Sequence, residues 1–133
     1  MKTRNFRNLQ VWQRSMSLAC KVYASTGSFP KDERFGLTGQ MRRAAVSIPS
    51  NIAEGHGPLT ERSLSLFLSQ ARGSLNELAT QLELAQRLDF TTADQIFPVQ
   101  REIGDLARML NALLTAIRHP ASAARTPLTT DSD

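Results

Sequence analysis

Leu64, Leu68, Ala71, Leu75, Leu78, Leu82 and Ala85 follow one another at intervals of four, three, four, three, four and three. A sustained alternation of this kind is the seam of a long amphipathic helix with a heptad repeat. It predicts a helix from Thr60, a suitable N-cap, to about Leu88. Such a helix is too long to stand alone and must lay its seam against other helices. Gly73 in its middle costs about 1 kcal/mol relative to alanine, which predicts a close contact at that position.

Three further segments show the same periodicity. In the first, Leu9, Trp12, Met16, Ala19 and Tyr23 share one face of a helix from Asn8, a possible cap, to Ser25, ended by Gly27 and Pro30. Val11, Leu18 and Val22 form a second apolar stripe on it. In the next, from Phe35 to Glu54, Leu37, Met41, Ala44, Ile48 and Ile52 share a face, and the sequence GHGP ends the helix. Small residues (Ala44, Ala45, Ser47, Ser50, Ala53) let a neighbouring helix come close. The last opens on the capping box TADQ at residues 92–95 and continues to His119-Pro120, with Ile96, Val99, Ile103, Leu106, Leu110, Leu113 and Ile117 inward.

Short linkers make neighbours antiparallel. The expected fold is all-α: an up-and-down antiparallel four-helix bundle over residues 1–119, followed by a disordered tail at 120–133 whose sequence lacks a hydrophobic pattern. Pro49 falls inside the second helix. It has no N–H and pushes on the carbonyl of Ala45, so it predicts a kink there, at a cost of about 3 kcal/mol unless packing or the Ser47 and Ser50 hydroxyls satisfy the freed carbonyl. A kinked helix can follow both its own core and a neighbouring subunit.

Chemistry is harder to find. The single cysteine, Cys20, supports neither a disulfide framework nor a metal cluster and reads as a small buried hydrophobe in a reducing, cytoplasmic setting. The segment before it is too polar for a signal peptide, and no apolar run is long enough to span a membrane. His56 and His119 are preceded three residues earlier by Ala53 and Ala116, so the Glu-x-x-His pairs of di-iron bundles are absent. GLTG lacks the Lys-Ser/Thr of a phosphate-binding loop. The expectation is a protein without catalytic residues, metal or cofactor.

Charge is uneven. Residues 1–43 contain nine Lys/Arg against Asp32 and Glu33, a balance of +7, and the rest contain seven against ten, a balance of −3. An acidic partner for the first half, nucleic acid included, follows as one reading, and a solvated basic face as the other. Arg4, Arg7, Arg14, Lys21, Arg42 and Arg43 are the candidate contacts to nucleic acid or to a neighbouring subunit. Arg42 and Arg43 point about 100° apart on their helix and cannot both enter the core. They need acids, helix-end carbonyls or phosphates, with Glu77 and Glu83 the acidic candidates from another helix or subunit.

The segments LQVWQRSMSL, FPKDERFGLTGQMRRAAVSIPSNIAEG and FLSQARGSLNELATQLELAQRL resemble the bacterial four-helix-bundle family named for open reading frames in 23S rRNA intervening sequences. The resemblance runs from about residue 6 to 117. It implies a barrel-shaped homopentamer, and through a related protein, the accessory variability determinant of diversity-generating retroelements, a basic surface that meets nucleic acid and a reverse transcriptase. Independently, Leu66 and Leu84 lie off the main seam with Gly73 on a similar side, and such extra faces meet partners. Two functions stay open: an oligomeric protein binding nucleic-acid backbones through its basic half, or a structural module whose only partners are proteins, its own copies among them.

Overall fold

A computed structural model describes residues 5–57 and 60–118. Arg4, the end of the expected domain at residue 119 and the expected tail lie outside the described residues. The four helices are α1 (Gln10–Thr26), α2 (Leu37–Gly55), α3 (Glu61–Arg87) and α4 (Ala93–Arg118). Single turns of 3-10 helix, Phe6–Asn8 and Lys31–Phe35, precede α1 and α2. Each helix packs on its sequence neighbours, α1 closes against α4, and α2–α3 is the most extensive pair. This is the antiparallel four-helix bundle the periodicity called for. None of the four is long and apolar enough to cross a membrane.

The ends follow local chemistry. Thr60 Oγ1 accepts from Ser63 N at 3.1 Å, and Thr92 and Gln95 close a reciprocal capping box with two bonds of 3.2 Å. The first helix starts later than expected. Asn8 belongs to the 3-10 turn, Asn5 caps that turn, and α1 begins after Leu9 without a side-chain cap. The second helix also starts late, because residues 31–35 form their own turn and Glu33 Oε1 accepts from Leu37 N at 3.0 Å.

The end of α3 has a built-in cost. Asp89 sits in the left-handed region at φ 62°, while Phe90 N donates to Ala85 O and Asp89 N to Gln86 O, at 2.9 and 3.0 Å. This is the pattern in which glycine is the usual residue, and a carboxylate there also opposes the helix dipole. Asp89→Gly is expected to stabilise the bundle by about 1 kcal/mol, raising the thermal midpoint by a few degrees.

The core contains the expected seam of α3, with Leu68, Ala71, Leu75, Leu78, Leu82 and Ala85 buried and Leu64 packed at its edge. On α4 the inward set is Ile96, Val99, Ile103, Leu106, Leu110 and Leu114. The expected Leu113 and Ile117 pack at the edge of the core and Leu114 takes the most buried place, because a straight helix drifts against a strict heptad over this length. Gly55 sets the α2–α3 approach: a Cβ there would lie 3.1 Å from both Leu64 Cδ1 and Phe67 Cβ. Gly73 does not have the expected close neighbour, since a Cβ there would meet nothing within 4 Å.

Candidate functional site

The largest departure from expectation is on α1. Its buried residues are Val11, Ser15, Leu18, Ala19, Val22 and Thr26, so the stripe read as secondary is the core stripe. Of the stripe read as the core, Leu9 is buried and Trp12 is half-buried against the core, whereas Met16 and Tyr23 point outward at 40% and 46% exposure. Ala19 lies at the boundary and, like Trp12, serves both faces. The exchange works because Ser15 and Thr26, polar by composition, hydrogen-bond to their own helix. Ser15 Oγ donates to Trp12 O at 2.7 Å, and Thr26 Oγ1 to Val22 O at 2.8 Å. A serine bonded in this way enters a core without needing a partner across it.

Opposite that outward stripe, α2 presents Val46, Pro49, Ser50 and Ala53. Together the two helices line an apolar groove of about 600 Å³, walled by Trp12, Met16, Ala19, Cys20 and Tyr23 on one side. Cys20 is exposed there and not buried as expected. The spacing 12-16-19-23 on α1 matches 42-46-49-53 on α2, so both walls are heptad-type seams and the groove has the form of a receptacle for a third helix.

Pro49 lies in the middle of the α2 wall, and the helix runs through it unbroken. Of the two ways to offset the proline's cost, the serine hydroxyls are not used on the Ala45 carbonyl. Ser47 Oγ donates to Ala44 O at 2.8 Å, Ser50 Oγ to Val46 O at 2.9 Å, and Asn51 Nδ2 to Ser47 O at 2.8 Å. The flanking carbonyls are thus bound, and the helix is held on both sides of the missing donor.

At one end of the groove stands Arg42. Its Nε donates to Thr26 Oγ1 at 2.9 Å, its Nη2 to Tyr23 O at 3.2 Å, and its guanidinium lies 4.5 Å from the centre of the Tyr23 ring. Arg42 therefore closes the C-terminal end of α1, where freed carbonyls and a negative dipole end favour a cation. Within the chain, neither candidate acid meets it. Glu83 accepts from Arg87 at 3.1 Å, and Glu77 faces Gln81 at 3.5 Å. Arg43 is exposed and forms no ion pair with the described residues.

Two more of the basic candidates are bound within the chain. Arg14 Nε and Nη2 donate to Glu102 Oε1 and Asp105 Oδ2, each at 3.0 Å, and Lys21 Nζ donates to Glu102 Oε2 at 3.1 Å. Arg108 joins from the other side of Asp105. This network ties α1 to α4 and matches part of the positive first half to part of the negative second half. The Glu102 hydrogen bond is the main cause that raises Arg14 above its ordinary pKa. Burial pushes the Glu102 carboxyl up, but the hydrogen bonds and charges of Arg14 and Lys21 outweigh it, and the net shift is down.

A carboxyl whose folded pKa lies below its unfolded one contributes stability above the unfolded value, and that contribution is lost as pH falls through the folded value. Glu102→Gln is therefore expected to lower stability at neutral pH by about 1 kcal/mol, a modest figure because Arg14 and Lys21 stay partly solvated. The same variant flattens the loss of stability on acidification through the carboxylate range. Urea unfolding at a series of pH values measures both effects.

The remaining candidate, Arg7, is exposed and lies 4.6 Å from the centre of the Phe6 ring. His56 is buried, with Nδ1 2.8 Å from Ile52 O, closing the end of α2. Among the described residues, no three of histidine, cysteine, aspartate and glutamate converge as metal ligands do.

A family model described as 23S rRNA-intervening sequence protein matches residues 7–112, a span that contains the groove, both of its walls and the Arg14–Glu102 network. The chain belongs to this family. Comparison with the curated proteins returns no match. Within the family span, periodicity alone did not find Val46, Ser50 and Ala53 as groove residues. The signal was present in the four-three-four spacing from Arg42 through Val46 and Pro49 to Ala53, which repeats the spacing of Trp12, Met16, Ala19 and Tyr23.

Proposed function

We infer that this protein is a non-enzymatic homo-oligomeric scaffold and that its assembly surface is the α1–α2 groove, filled by a second copy of the chain. The carrying observation is the apolar groove in which exposed Met16 and Tyr23, with half-buried Trp12, face Val46, Pro49, Ser50 and Ala53 of α2. Exposed Leu66, Leu84, Leu88 and Phe97 supply the chain with further apolar surface. Contiguous apolar surface of this kind is characteristic of association sites. Five copies is the number implied by the family resemblance.

Sedimentation equilibrium at micromolar concentration tests this. The expected mass is a multiple of 14.7 kDa. Met16→Glu combined with Val46→Glu, two exposed positions, is expected to leave helical content intact and reduce the mass to that of the monomer. A wild-type monomer overturns the reading.

A second reading, nucleic-acid binding, is supported by Arg43, whose exposed guanidinium has no acid among its described neighbours. Binding of this kind would be to the phosphate backbone and sensitive to salt. Arg43→Ala would then lower the dependence of log K on log salt by about one. Salt titrations with short RNA and DNA duplexes measure it, and binding that is absent or insensitive to Arg43 removes this reading.

A further inference from the structure

We propose that the turn at Lys31–Phe35 is a stacking platform for the bases of a single-stranded nucleic acid. This rests on the nucleic-acid reading above and adds the kind of strand and the side chain that meets a base. Phe35 is 83% exposed, the most of any large apolar residue described. The turn that carries it is held at both ends: Glu33 Oε1 accepts from Leu37 N at 3.0 Å, and Gly36 N donates to Glu33 O at 2.9 Å. Among the helices and turns it packs on α2 alone, so α1, α3 and α4 leave the ring uncovered. A phenyl ring held out in water by an ordered turn is explained when another flat apolar surface lies on it.

The cations beside the ring say which surface. The Arg34 guanidinium lies 4.8 Å from the ring centre, on one face, and leaves the other face for a base. Gly39 brings in a second guanidinium. A Cβ there would lie 2.8 Å from Arg34 O and 3.3 Å from Arg43 Nη1, so the bare glycine lets the turn close on α2 with Arg43 beside it. Exposed Lys31 is the third cation, and none of the three forms an ion pair with the described residues. Two acids share the turn. The Glu33 carboxylate is turned to the start of α2, and Asp32 is exposed, which leaves a formal balance of +1 for Lys31, Arg34 and Arg43 against Asp32 and Glu33. So small an excess steers a phosphate backbone without gripping it, and affinity then depends on the ring. Covering the ring with an apolar protein surface would desolvate unpaired guanidinium groups, whereas a strand supplies a base for the ring and phosphates for the cations. A duplex offers less, because its bases already stack on one another.

Fluorescence anisotropy with labelled oligouridylate, oligothymidylate and a blunt duplex of equal length tests the platform. Phe35 is exposed enough that Phe35→Ala leaves the fold unchanged, as circular dichroism checks. The variant is expected to bind both single strands about tenfold more weakly with the slope of log K against log salt unchanged, because the ring carries no charge. Phe35→Trp is expected to bind at least as tightly as wild type. Duplex binding is expected to be indifferent to Phe35→Ala, and the single strand that binds more tightly identifies the ligand as RNA or DNA. If Phe35→Ala binds single strands like wild type, or wild type binds only the duplex, the platform is overturned while the backbone reading stands. If Phe35→Ala lowers the sedimenting mass, the ring belongs to a protein contact and the platform is overturned likewise. If wild type binds no nucleic acid, both fall.

Discussion

Pro49→Ala will raise the stability of the isolated bundle by about 2–3 kcal/mol and at the same time weaken its assembly. The gain follows from the missing donor: proline inside a helix removes one backbone hydrogen bond and presses its ring on the carbonyl four residues earlier, a cost of about 3 kcal/mol. That carbonyl is Ala45, on a residue 1% exposed, and neither neighbouring serine donates to it. Alanine restores the donor. The loss follows from position, because the proline ring forms part of the groove wall between Val46 and Ala53. Chemical unfolding at dilutions below the assembly range reads the first effect, and sedimentation reads the second. A variant that is more stable but assembles unchanged would separate Pro49 from the interface.

Arg42→Ala and Arg43→Ala, though adjacent, will behave oppositely. Arg42→Ala removes two hydrogen bonds from a charged donor and a cation–π contact at the end of α1, and is expected to destabilise the monomer by about 2 kcal/mol. Arg42→Lys recovers less than half of that, since an ammonium cannot reach the hydroxyl and the carbonyl with the planar fork of a guanidinium. Arg43→Ala is expected to change monomer stability by no more than about 0.5 kcal/mol. Its effect belongs to whatever partner meets the exposed guanidinium. Thermal unfolding of the three variants side by side distinguishes the two positions.

The sequence told most where one stripe had no competitor. On α3 the seven seam positions are apolar and their rivals, Leu66 and Leu84, are isolated, so its inward face was legible. On α1 two stripes of comparable quality compete. The one that contains Trp12 and Tyr23 looked like the core because the true core stripe includes Ser15 and ends at Thr26. Those hydroxyls bond within their own helix, and a periodicity argument has no means of weighing that. The reversal is also what exposes the groove, so the misread face and the candidate site are the same residues.

The arginines were legible in part. That Arg42 and Arg43 could not both be buried followed from helix geometry, and helix-end carbonyls were among the partners foreseen. Which carbonyl, and the Tyr23 ring beside it, depended on how the end of α1 meets α2, a tertiary fact. Likewise the excess of positive charge in the first half overstated what is available to an outside ligand, because Glu102 and Asp105 lie 88 and 91 residues from Arg14 in the chain and yet bind it.

Trp12 is the only tryptophan in the chain and stands in the groove wall, which makes it a direct reporter of the central claim. Its emission and its quenching by acrylamide should be followed while the protein is diluted through dissociation, with mass measured in parallel. A groove filled by a second copy predicts blue-shifted, quencher-protected emission in the assembled state that turns red-shifted and accessible in step with the fall in mass. An assembled state in which Trp12 is as accessible as in the monomer would contradict it.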